Sequence, residues 1–392
     1  MMGLRPSTTG IYGNRNWFRD MPLYREWVTL PQYFRAHGYV AWGGGKLYHQ
    51  PHGKFSDPAS WDGQYSVRMG TPHPPVDRRY RHGLKKEFSN AILARLIDWA
   101  PIDQSLQETA DWRTAQGAAR FLKQAHKKPF FLGCGIYLPH LPWYLPREYF
   151  DMHPLDTIRL PSHRVDDLED IPDAGRRMAG KEGEILRNSG KWKEAVQGCL
   201  AAGSFADACV GHVLKALEES GHADNTIVVL WGDHGYDVGE KKFAKSALWE
   251  QNTRTPLIIH LPETLGGNPK AGSCSRPVSL LDLYPTLLDL CGLPPNPKVE
   301  GRSIAPLVRD PQLKWPFPAV ITHSPHWHGS SHAVRSELFH YIHYGRGGEE
   351  LYDVSRDPNQ WHNLAGDPEY RETKKVLRKW LPKSNAPHFR AN

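Results

Sequence analysis

The chain has 392 residues, of which 39% are hydrophobic and 23% are charged, so it is neither disordered nor fibrous. Its 35 glycines and 33 prolines are too few for a low-complexity chain, but they indicate many structured loops. The net charge of +7 comes from scattered Lys and Arg residues rather than from a basic block. This argues against a nucleic-acid partner and leaves a polyanionic substrate open. The length allows one large domain with an appendage, or two medium domains.

The five cysteines are an odd number and include no Cys-x-x-Cys pair, which argues against a disulfide framework and against a thiolate zinc site. No apolar run approaches the roughly 20 residues of a membrane span, and the first 20 residues lack the pattern of a signal peptide. We therefore expect no membrane span. Either the protein is cytoplasmic or its true beginning is missing.

Apolar runs that end in Gly, Pro or His alternate with helical stretches, which predicts an α/β fold with a mostly parallel sheet. The runs at residues 39–42, 130–136 and 226–231 each follow a helical stretch. The helix before the third run carries one apolar stripe that should pack on the sheet, formed by Phe205, Cys209, Val210, Val213, Leu214 and Leu217. The third run is apolar without alternation, as is typical of a central strand covered on both faces.

From about residue 314 the pattern changes to short strands, at residues 319–322, 333–336, 338–343 and 350–352, and a final helix near 369–381. This predicts a small antiparallel sheet with one helix. We therefore predict two domains, an α/β domain over residues 1–313 and a small α+β subdomain over residues 314–392.

Ligands of open α/β sheets collect beyond the carboxyl ends of the strands. The predicted ends carry Lys46 and His49, then His140, and then Asp233 and His234. We expect the three strands to deliver cations, imidazoles and a carboxylate to one edge. The Asp233-His234-Gly235 turn is a candidate metal site, and its alternative is a structural Asp–His hydrogen bond.

Several stretches, in this order along the chain, together resemble the sulfatase family and most closely its iduronate-2-sulfatase-like branch. They are residues 3–6 (GLRP), 45–49 (GKLYH), 138–143 (LPHLPW), 231–235 (WGDHG), 239–250 (GEKKFAKSALWE), 282–286 (DLYPT), 300–303 (EGRS) and 350–353 (ELYD). The resemblance covers nearly the whole chain. It implies an alkaline-phosphatase-like fold, with a large, mixed, mostly parallel sheet sandwiched by helices.

The resemblance also implies sulfate ester hydrolysis by a formylglycine, made from the Cys of a Cys-x-Pro-Ser/Ala-Arg motif, beside one Ca²⁺ ion. It implies Asp233 and His234 as metal ligands and Lys46 and Lys245 as contacts to the sulfate. His49 would assist the breakdown of the sulfated intermediate, and His140 would contact the sulfate and the leaving-group oxygen. A core histidine is the alternative for His49, a solvated surface lysine for Lys46 and a plain ion pair for Lys245.

On the substrate side, the resemblance suggests that Tyr236 floors a sugar pocket, although it could equally pack in the interior. His332 and Arg335 could meet a carboxylate or a second sulfate of an anionic sugar. The neighbouring His323, His326 and His328 are spaced too irregularly to favour a zinc site.

One departure from the family is serious, because no Cys of this chain begins a Cys-x-Pro-Ser/Ala-Arg motif. The resemblance places the nucleophile and a metal-binding Asp pair upstream of Met1, so we expect the 392-residue chain to be inactive. The alternatives are a non-catalytic sulfatase-like protein that binds anionic glycans and a phosphate or phosphonate ester hydrolase of the same superfamily. The expected partner is a sulfated carbohydrate or another sulfate ester. The resemblance suggests export, while the sequence leaves the compartment and the oligomeric state open.

Overall fold

The computed structural model describes residues 1–14, 16–49, 56–65, 84, 96–267, 272–324 and 329–389. The chain folds into two compact units. The terminal unit contains residues 1–30, 162–180 and 225–392, and the inserted unit contains residues 31–161 and 181–224. The predicted domain boundary between residues 313 and 314 stays a prediction. His326 and His328 lie outside the described residues.

The helices and strands alternate along much of the chain. The helices are α1 Pro6–Thr9, α2 Leu30–Ala36, α3 Ala110–Leu122, α4 Arg147–Asp151, α5 Asp173–Ala179, α6 Glu182–Asn188, α7 Trp192–Glu218, α8 Glu250–Thr253, α9 Leu283–Leu290, α10 Ala305–Arg309 and α11 Arg371–Arg378. The strands are β1 Val40–Gly45, β2 Gly63–Gln64, β3 Trp99–Ile102, β4 Phe130–Gly135, β5 Trp143–Pro146, β6 Val228–Trp231, β7 Asp237–Val238, β8 Phe243–Ala244, β9 Leu257–His260, β10 Ala319–His323, β11 Ser331–Arg335, β12 Phe339–His343 and β13 Glu349–Asp353.

In the inserted unit, β1 pairs in parallel with both β2 and β4, and β3 pairs in parallel with β5. Helix α3 packs on β1 and β4, and the long helix α7 packs on α3, α4 and β5. The predicted helices before β1 and β4 and the parallel pairing of these strands are therefore confirmed.

The glycines at the end of β1 allow the chain to turn tightly into Lys46. A Cβ atom on Gly44 would lie 2.1 Å from the carbonyl oxygen of Tyr65, and one on Gly45 would lie 2.0 Å from that of Gly135. Gly45 also has a φ of 73°, in the left-handed region that favours glycine. A side chain at either position would therefore push β1 away from its neighbours and displace Lys46.

Among the described residues, helix α7 is long and apolar enough to cross a membrane, judged by its length and composition alone. It also contacts β5 and neighbouring helices of its own unit, as a core helix does. Phe205, Cys209 and Leu217 of the predicted stripe are buried, whereas Leu214 is exposed. The absence of a membrane span stays a prediction.

In the terminal unit, β6 pairs with β9 alone among the described strands, and the pair is antiparallel. Trp231 is 41% exposed and Ile258 is 60% exposed. The prediction that residues 226–231 form a central strand covered on both faces is therefore wrong for the described structure. An unbroken apolar run indicates preference for a buried strand, but it carries no information about which partner covers it.

Strands β10 to β13 form one antiparallel sheet in chain order, as predicted. Its register pairs Ala333 with Ile342 and Tyr341 with Leu351. One face buries Ala333 and Ile342 against α5 and Trp249, and the other buries Tyr341 and Leu351 against Leu377 of α11. The small sheet is thus covered on both faces within its own unit.

Candidate active site

The nine predicted site residues are divided between the two units. Lys46, His49 and His140 lie in the inserted unit, while Asp233, His234, Tyr236, Lys245, His332 and Arg335 lie in the terminal unit. All nine belong to the part of the chain that the structure describes.

Within the inserted unit, Lys46 and His140 both contact Tyr137. Lys46 directly follows β1, and its Nζ lies 5.5 Å from the centroid of the Tyr137 ring. The Tyr137 hydroxyl lies 2.9 Å from Nδ1 of His140, and the two rings are 4.8 Å apart. His49 is exposed, three residues beyond Lys46. Tyr137 escaped the sequence reasoning, although it stands only three residues before His140.

The backbone determines which nitrogen of His140 carries the proton. Nδ1 lies 2.6 Å from the carbonyl oxygen of Leu141, which can only accept a hydrogen bond. Nδ1 therefore donates, and in the neutral ring Nε2 carries the lone pair. A protonated His140 would accordingly give up its proton from Nε2, which is the arrangement that a general acid needs.

Asp111 holds the turn that carries Tyr137 and His140. Its two carboxylate oxygens accept hydrogen bonds from the backbone N–H groups of Tyr137 and Leu138, each at 2.9 Å. Burial raises the pKa of Asp111 to about 6, although both hydrogen bonds and the charge of Lys46 oppose the rise. Sequence reasoning missed Asp111, because an acid in the first turn of a helix is common and gives no signal of a distant partner.

Within the terminal unit, Asp233, His234 and Lys245 come together. Nδ1 of His234 lies 2.8 Å from the carbonyl oxygen of Gly235 and therefore donates to it. Nε2 then carries the lone pair in the neutral ring, and it lies 3.0 Å from Nζ of Lys245 and 3.6 Å from Oδ1 of Asp233. Lys245 thus donates toward His234, and the Asp233 carboxylate stands beside the same imidazole nitrogen.

The backbone around Lys245 is strained on both sides. Ala244 has a φ of 83° and Ser246 has a φ of 74°, both in the left-handed region that residues with a side chain rarely adopt. Such residues cost roughly 1–3 kcal/mol each and cluster at functional sites. The loop maintains an unfavourable conformation at the position that presents Lys245.

Buried polar contacts anchor this loop at both ends. Lys241 donates to Asp167 at 2.9 Å and to the carbonyl oxygen of Gln360 at 2.9 Å, and both partners of the ion pair are almost fully buried. At the other end, Nε1 of Trp249 donates to the buried Glu350 at 2.8 Å. Burial raises the pKa of Glu350, and the hydrogen bonds from Tyr344, Tyr352 and Trp249 oppose the rise. These anchors can supply the rigidity that the strained segment requires.

The predicted substrate-side residues differ in their surroundings. Tyr236 packs edge-on against Phe243, with 5.9 Å between the ring centroids. His332 is buried on β11, where its Nδ1 lies 3.0 Å from the Thr322 hydroxyl, and burial lowers its pKa to about 4. Arg335 forms an ion pair with Glu250 at 2.8 Å and donates to backbone carbonyl groups of residues 336 and 337.

Glu250 is the centre of a buried polar network that joins Arg335, His340 and Gln360. Burial acts to raise the pKa of Glu250, but the hydrogen bond from Arg335 and the nearby positive charges hold it below its usual value. Gln360 accepts from the backbone N–H of Glu250 at 2.7 Å, so its amide nitrogen donates to Nδ1 of His340, also at 2.7 Å. His340 therefore carries its proton on Nε2 when neutral, and burial lowers its pKa to about 4.

Asp233 and His234 fit part of a divalent-cation site. A carboxylate oxygen is a ligand that Ca²⁺ prefers, and a histidine whose Nδ1 is held by a backbone carbonyl presents Nε2 in the form that binds metals. Within the described ranges, no group of three or more His, Cys, Asp or Glu side chains is placed to hold a metal ion. Asp233 therefore supplies one carboxylate toward the six to eight oxygen ligands that Ca²⁺ takes, and His234 would add a nitrogen ligand.

A protein-family model named Sulfatase matches residues 1–293 of the chain. The chain belongs to the sulfatase family. Members of this family are hydrolases of sulfate esters, and they generally use Ca²⁺ and formylglycine. A second model, N-sulphoglucosamine sulphohydrolase C-terminal, matches residues 232–386. The predicted family is thereby confirmed.

Two relatives match this sulfatase-family chain over most of its length. A sulfatase of Formosa agariphila is 37% identical, and the match covers 98% of this chain and 76% of the relative. The iduronate 2-sulfatase of Mus musculus is 26% identical, and that match covers 94% of this chain and 82% of the relative.

Two solved structures share the fold. A 2-O GAG sulfatase superposes with a TM-score of 0.71 at 21% identity, covering 97% of this chain and 78% of the other. The phosphonate monoester hydrolase of Agrobacterium radiobacter superposes with a TM-score of 0.70 at 19% identity, covering 96% of this chain and 86% of the other. The alkaline-phosphatase-like α/β fold is therefore confirmed, and the fold by itself does not separate sulfate from phosphonate chemistry.

Proposed function

We propose that this chain carries cationic and imidazole groups of a sulfuric ester hydrolase that acts on sulfated sugars, with 2-sulfated iduronate as the leading candidate. The contact of Lys245 with His234, at 3.0 Å, carries the proposal. It lies in a strained loop that buried charges anchor, as expected of a built site. Family membership and the names of the sulfatase relatives support the substrate class.

A sulfate ester resists hydrolysis for two reasons. Its oxygens repel a nucleophile, and its alkoxide is a poor leaving group. Positive charges at the sulfate oxygens reduce the repulsion of the nucleophile, and a positioned acid protonates the leaving oxygen. We assign Lys46 and Lys245 to the sulfate oxygens. His140 is assigned to the leaving-group oxygen, to which Nε2 would give its proton, and His49 to proton transfer when the sulfated intermediate breaks down.

Asp233 and His234 are assigned as ligands of the Ca²⁺ ion that the family uses. When bound, this ion supplies positive charge at the sulfate, and a formylglycine supplies the nucleophile. Before either group is present, the carbonyl of Gly235 orients the His234 ring, and Lys245 donates to the Nε2 lone pair that the ion would take. Lys245 would therefore turn from His234 to the sulfate when the ion binds.

Tyr236 is assigned to the face of the sugar, and His332 and Arg335 to a carboxylate or second sulfate. The support for these three residues is unequal. Arg335 has five N–H donors, and its hydrogen bonds to Glu250 and to backbone carbonyls use four of them. His332 is buried and neutral above about pH 4. Tyr236 is the best placed of the three for a first substitution.

The test compares two forms of the protein on 4-nitrophenyl sulfate and on sulfated disaccharides. We expect no turnover by the 392-residue polypeptide, because no Cys in it begins a Cys-x-Pro-Ser/Ala-Arg motif. We expect turnover by a form extended with in-frame upstream codons that encode this motif and an Asp pair. Robust turnover by the 392-residue polypeptide would refute the expected inactivity, and faster cleavage of a phosphonate monoester by the extended form would refute the substrate class.

The second candidate is a non-catalytic protein that binds anionic glycans with the same cationic groups. This candidate needs the cationic groups Lys46 and Lys245 but no Cys-x-Pro-Ser/Ala-Arg motif. In-frame upstream codons without the motif, together with retained binding of sulfated sugar, would establish this candidate in place of the enzyme.

A further inference from the structure

A cleft of about 130 Å³ opens in the terminal unit, and none of the residues assigned above to the reaction lines it. Its wall combines two arginines, Arg5 and Arg302, with three aromatic residues, Trp315, Phe317 and Trp380. The carboxylates of Asp282 and Glu300 also reach the wall. These carboxylates would block an anion site if they formed ion pairs with the two arginines.

Both carboxylates accept hydrogen bonds from groups other than the two guanidinium groups. Asp282 accepts from the backbone N–H groups of Arg302 at 2.8 Å and of Ser279 at 2.9 Å. Glu300 accepts from the backbone N–H of Arg5 and from the hydroxyl of Thr8. Burial raises the pKa of Asp282, and the two backbone hydrogen bonds and the charges of Arg5 and Arg302 oppose this rise.

The guanidinium groups of Arg5 and Arg302 keep N–H donors that can bind a ligand. Across the described ranges, the side chain of Arg5 makes no hydrogen bond or ion pair, and that of Arg302 makes only a stacking contact, with its Cζ 3.5 Å from the centroid of Phe317. A guanidinium stacked on an aromatic face keeps its N–H donors around its rim, where they match the oxygens of a sulfate or carboxylate.

The aromatic residues form a continuous cluster beside these donors. Phe317 meets Trp315 edge-on at 5.1 Å and Trp380 edge-on at 6.1 Å between centroids. Trp380 is 38% exposed, so part of its indole surface faces solvent. Exposed aromatic surface combines an apolar face with a polar rim, which suits a ligand that has both C–H faces and hydroxyl groups.

We propose that this cleft is a binding site for a sulfated sugar residue, in which Arg302 and Arg5 bind the sulfate and Trp380 and Trp315 contact the ring. The two anion-binding forks specify the sulfate, and the aromatic surface beside them specifies a sugar rather than a free anion. The site serves to hold a sulfated glycan and does not require the chain to turn over a substrate.

The experiment is calorimetric titration of the 392-residue chain with a sulfated glycosaminoglycan tetrasaccharide, in a Lys46→Ala/Lys245→Ala background. This background removes the two cations assigned to the reaction, so that its outcome is independent of the proposed function. We expect Arg302→Gln and Arg5→Gln each to weaken binding about tenfold, because each removes a charged hydrogen-bonding fork from the sulfate. Trp380→Ala should also weaken it about tenfold, because it removes the aromatic face that contacts the ring. Trp380→Phe should retain most of the affinity, because it keeps an aromatic face.

The matched control is Arg309→Gln, which removes an exposed charge from the same unit outside the cleft. It should leave binding unchanged. Equal loss in Arg309→Gln would show non-specific attraction to a basic surface and overturn the proposal. So would unchanged binding in Arg302→Gln and Trp380→Ala, or equal affinity for the desulfated tetrasaccharide or for an acidic peptide. Thermal unfolding of each variant distinguishes a binding defect from a folding defect, and retained binding by Trp380→Phe excludes loss of the fold.

Discussion

The two units hold their candidate catalytic groups by different means. In the inserted unit, one carboxylate, Asp111, binds two backbone N–H groups and so maintains the turn that carries His140. In the terminal unit, the strained loop that carries Lys245 depends on contacts between side chains, namely the ion pair of Lys241 with Asp167 and the hydrogen bond from Trp249 to Glu350. The first arrangement tolerates changes of neighbouring side chains, because its partners belong to the backbone. The second requires both members of each pair.

The largest expected effect comes from breaking the buried ion pair of Lys241 with Asp167 in the terminal unit. Lys241→Met should lower the free energy of unfolding by about 3–5 kcal/mol, because it leaves the carboxylate of Asp167 buried without its ion-pair partner. Urea denaturation measures the change, and Lys241→Met/Asp167→Leu should recover most of it. Lys375→Met is the control, since its ion pair with Glu372 is exposed on both sides and should contribute less than about 1 kcal/mol. A cost for Lys241→Met as small as that of the control would contradict the anchoring role of the buried pair.

The second prediction concerns pH, because the two units respond to it in opposite directions. The pKa of Asp111 is about 6 in the fold against 3.8 unperturbed, so its protonated form favours the fold. Its contribution, on the order of 3 kcal/mol, is present below about pH 4 and is lost as the pH rises through about 6. The pKa of His340 is about 4 against 6.5, so its contribution is present above about pH 6.5 and is lost as the pH falls through about 4.

Urea denaturation between pH 4 and pH 7 tests this prediction with two variants. The stability advantage of the wild type over Asp111→Asn should shrink as the pH rises from 4 to 6. Its advantage over His340→Gln should grow over the same range. Parallel slopes for the two variants would show that burial does not act on these groups as described.

The third prediction compares one candidate catalytic residue from each unit, His140 and Lys245. It uses a catalytically active form of the protein that is extended by in-frame upstream codons. His140→Ala and Lys245→Ala should each lower kcat about 10²-fold or more, because each removes a positioned proton donor or a charge at the sulfate. Steady-state kinetics measures the loss, and Lys242→Ala, in which a neighbouring lysine of the same loop is changed, serves as the control. If either His140→Ala or Lys245→Ala retained a near-normal rate, that residue would be removed from the site.

The smallest expected effect comes from relieving backbone strain next to Lys245. Ser246→Gly should stabilise the fold by about 1 kcal/mol, because glycine adopts a φ of 74° without the steric cost that serine bears. Ser273→Gly is the control. Ser273 is exposed and is not among the positive-φ residues, so its replacement should be neutral or destabilising. Thermal denaturation compares the two, and a loss of stability in Ser246→Gly would argue against strain at Lys245.

Much of the fold follows from local patterns. The apolar run before Lys46 forms β1, the run at residues 130–136 forms β4, and the four short strands after residue 314 form the antiparallel sheet. The run at residues 226–231 shows the limit of this reasoning, since β6 has one antiparallel partner among the described strands and its end is exposed. Hydrophobic periodicity indicates whether a segment prefers a buried environment. It does not indicate which other segment of the chain packs against it.

By itself, the sequence determined the family, through ordered motifs such as those at residues 231–235 and 239–250, and it determined which side chains to inspect. The tertiary structure alone decided how they are held. Asp111 binds backbone 26 and 27 residues away, and Lys241 pairs with Asp167 across 74 residues. A carboxylate or an ammonium group has the same formula wherever it stands, so its partner, its protonation and its function depend on which distant segment the folded chain brings to it.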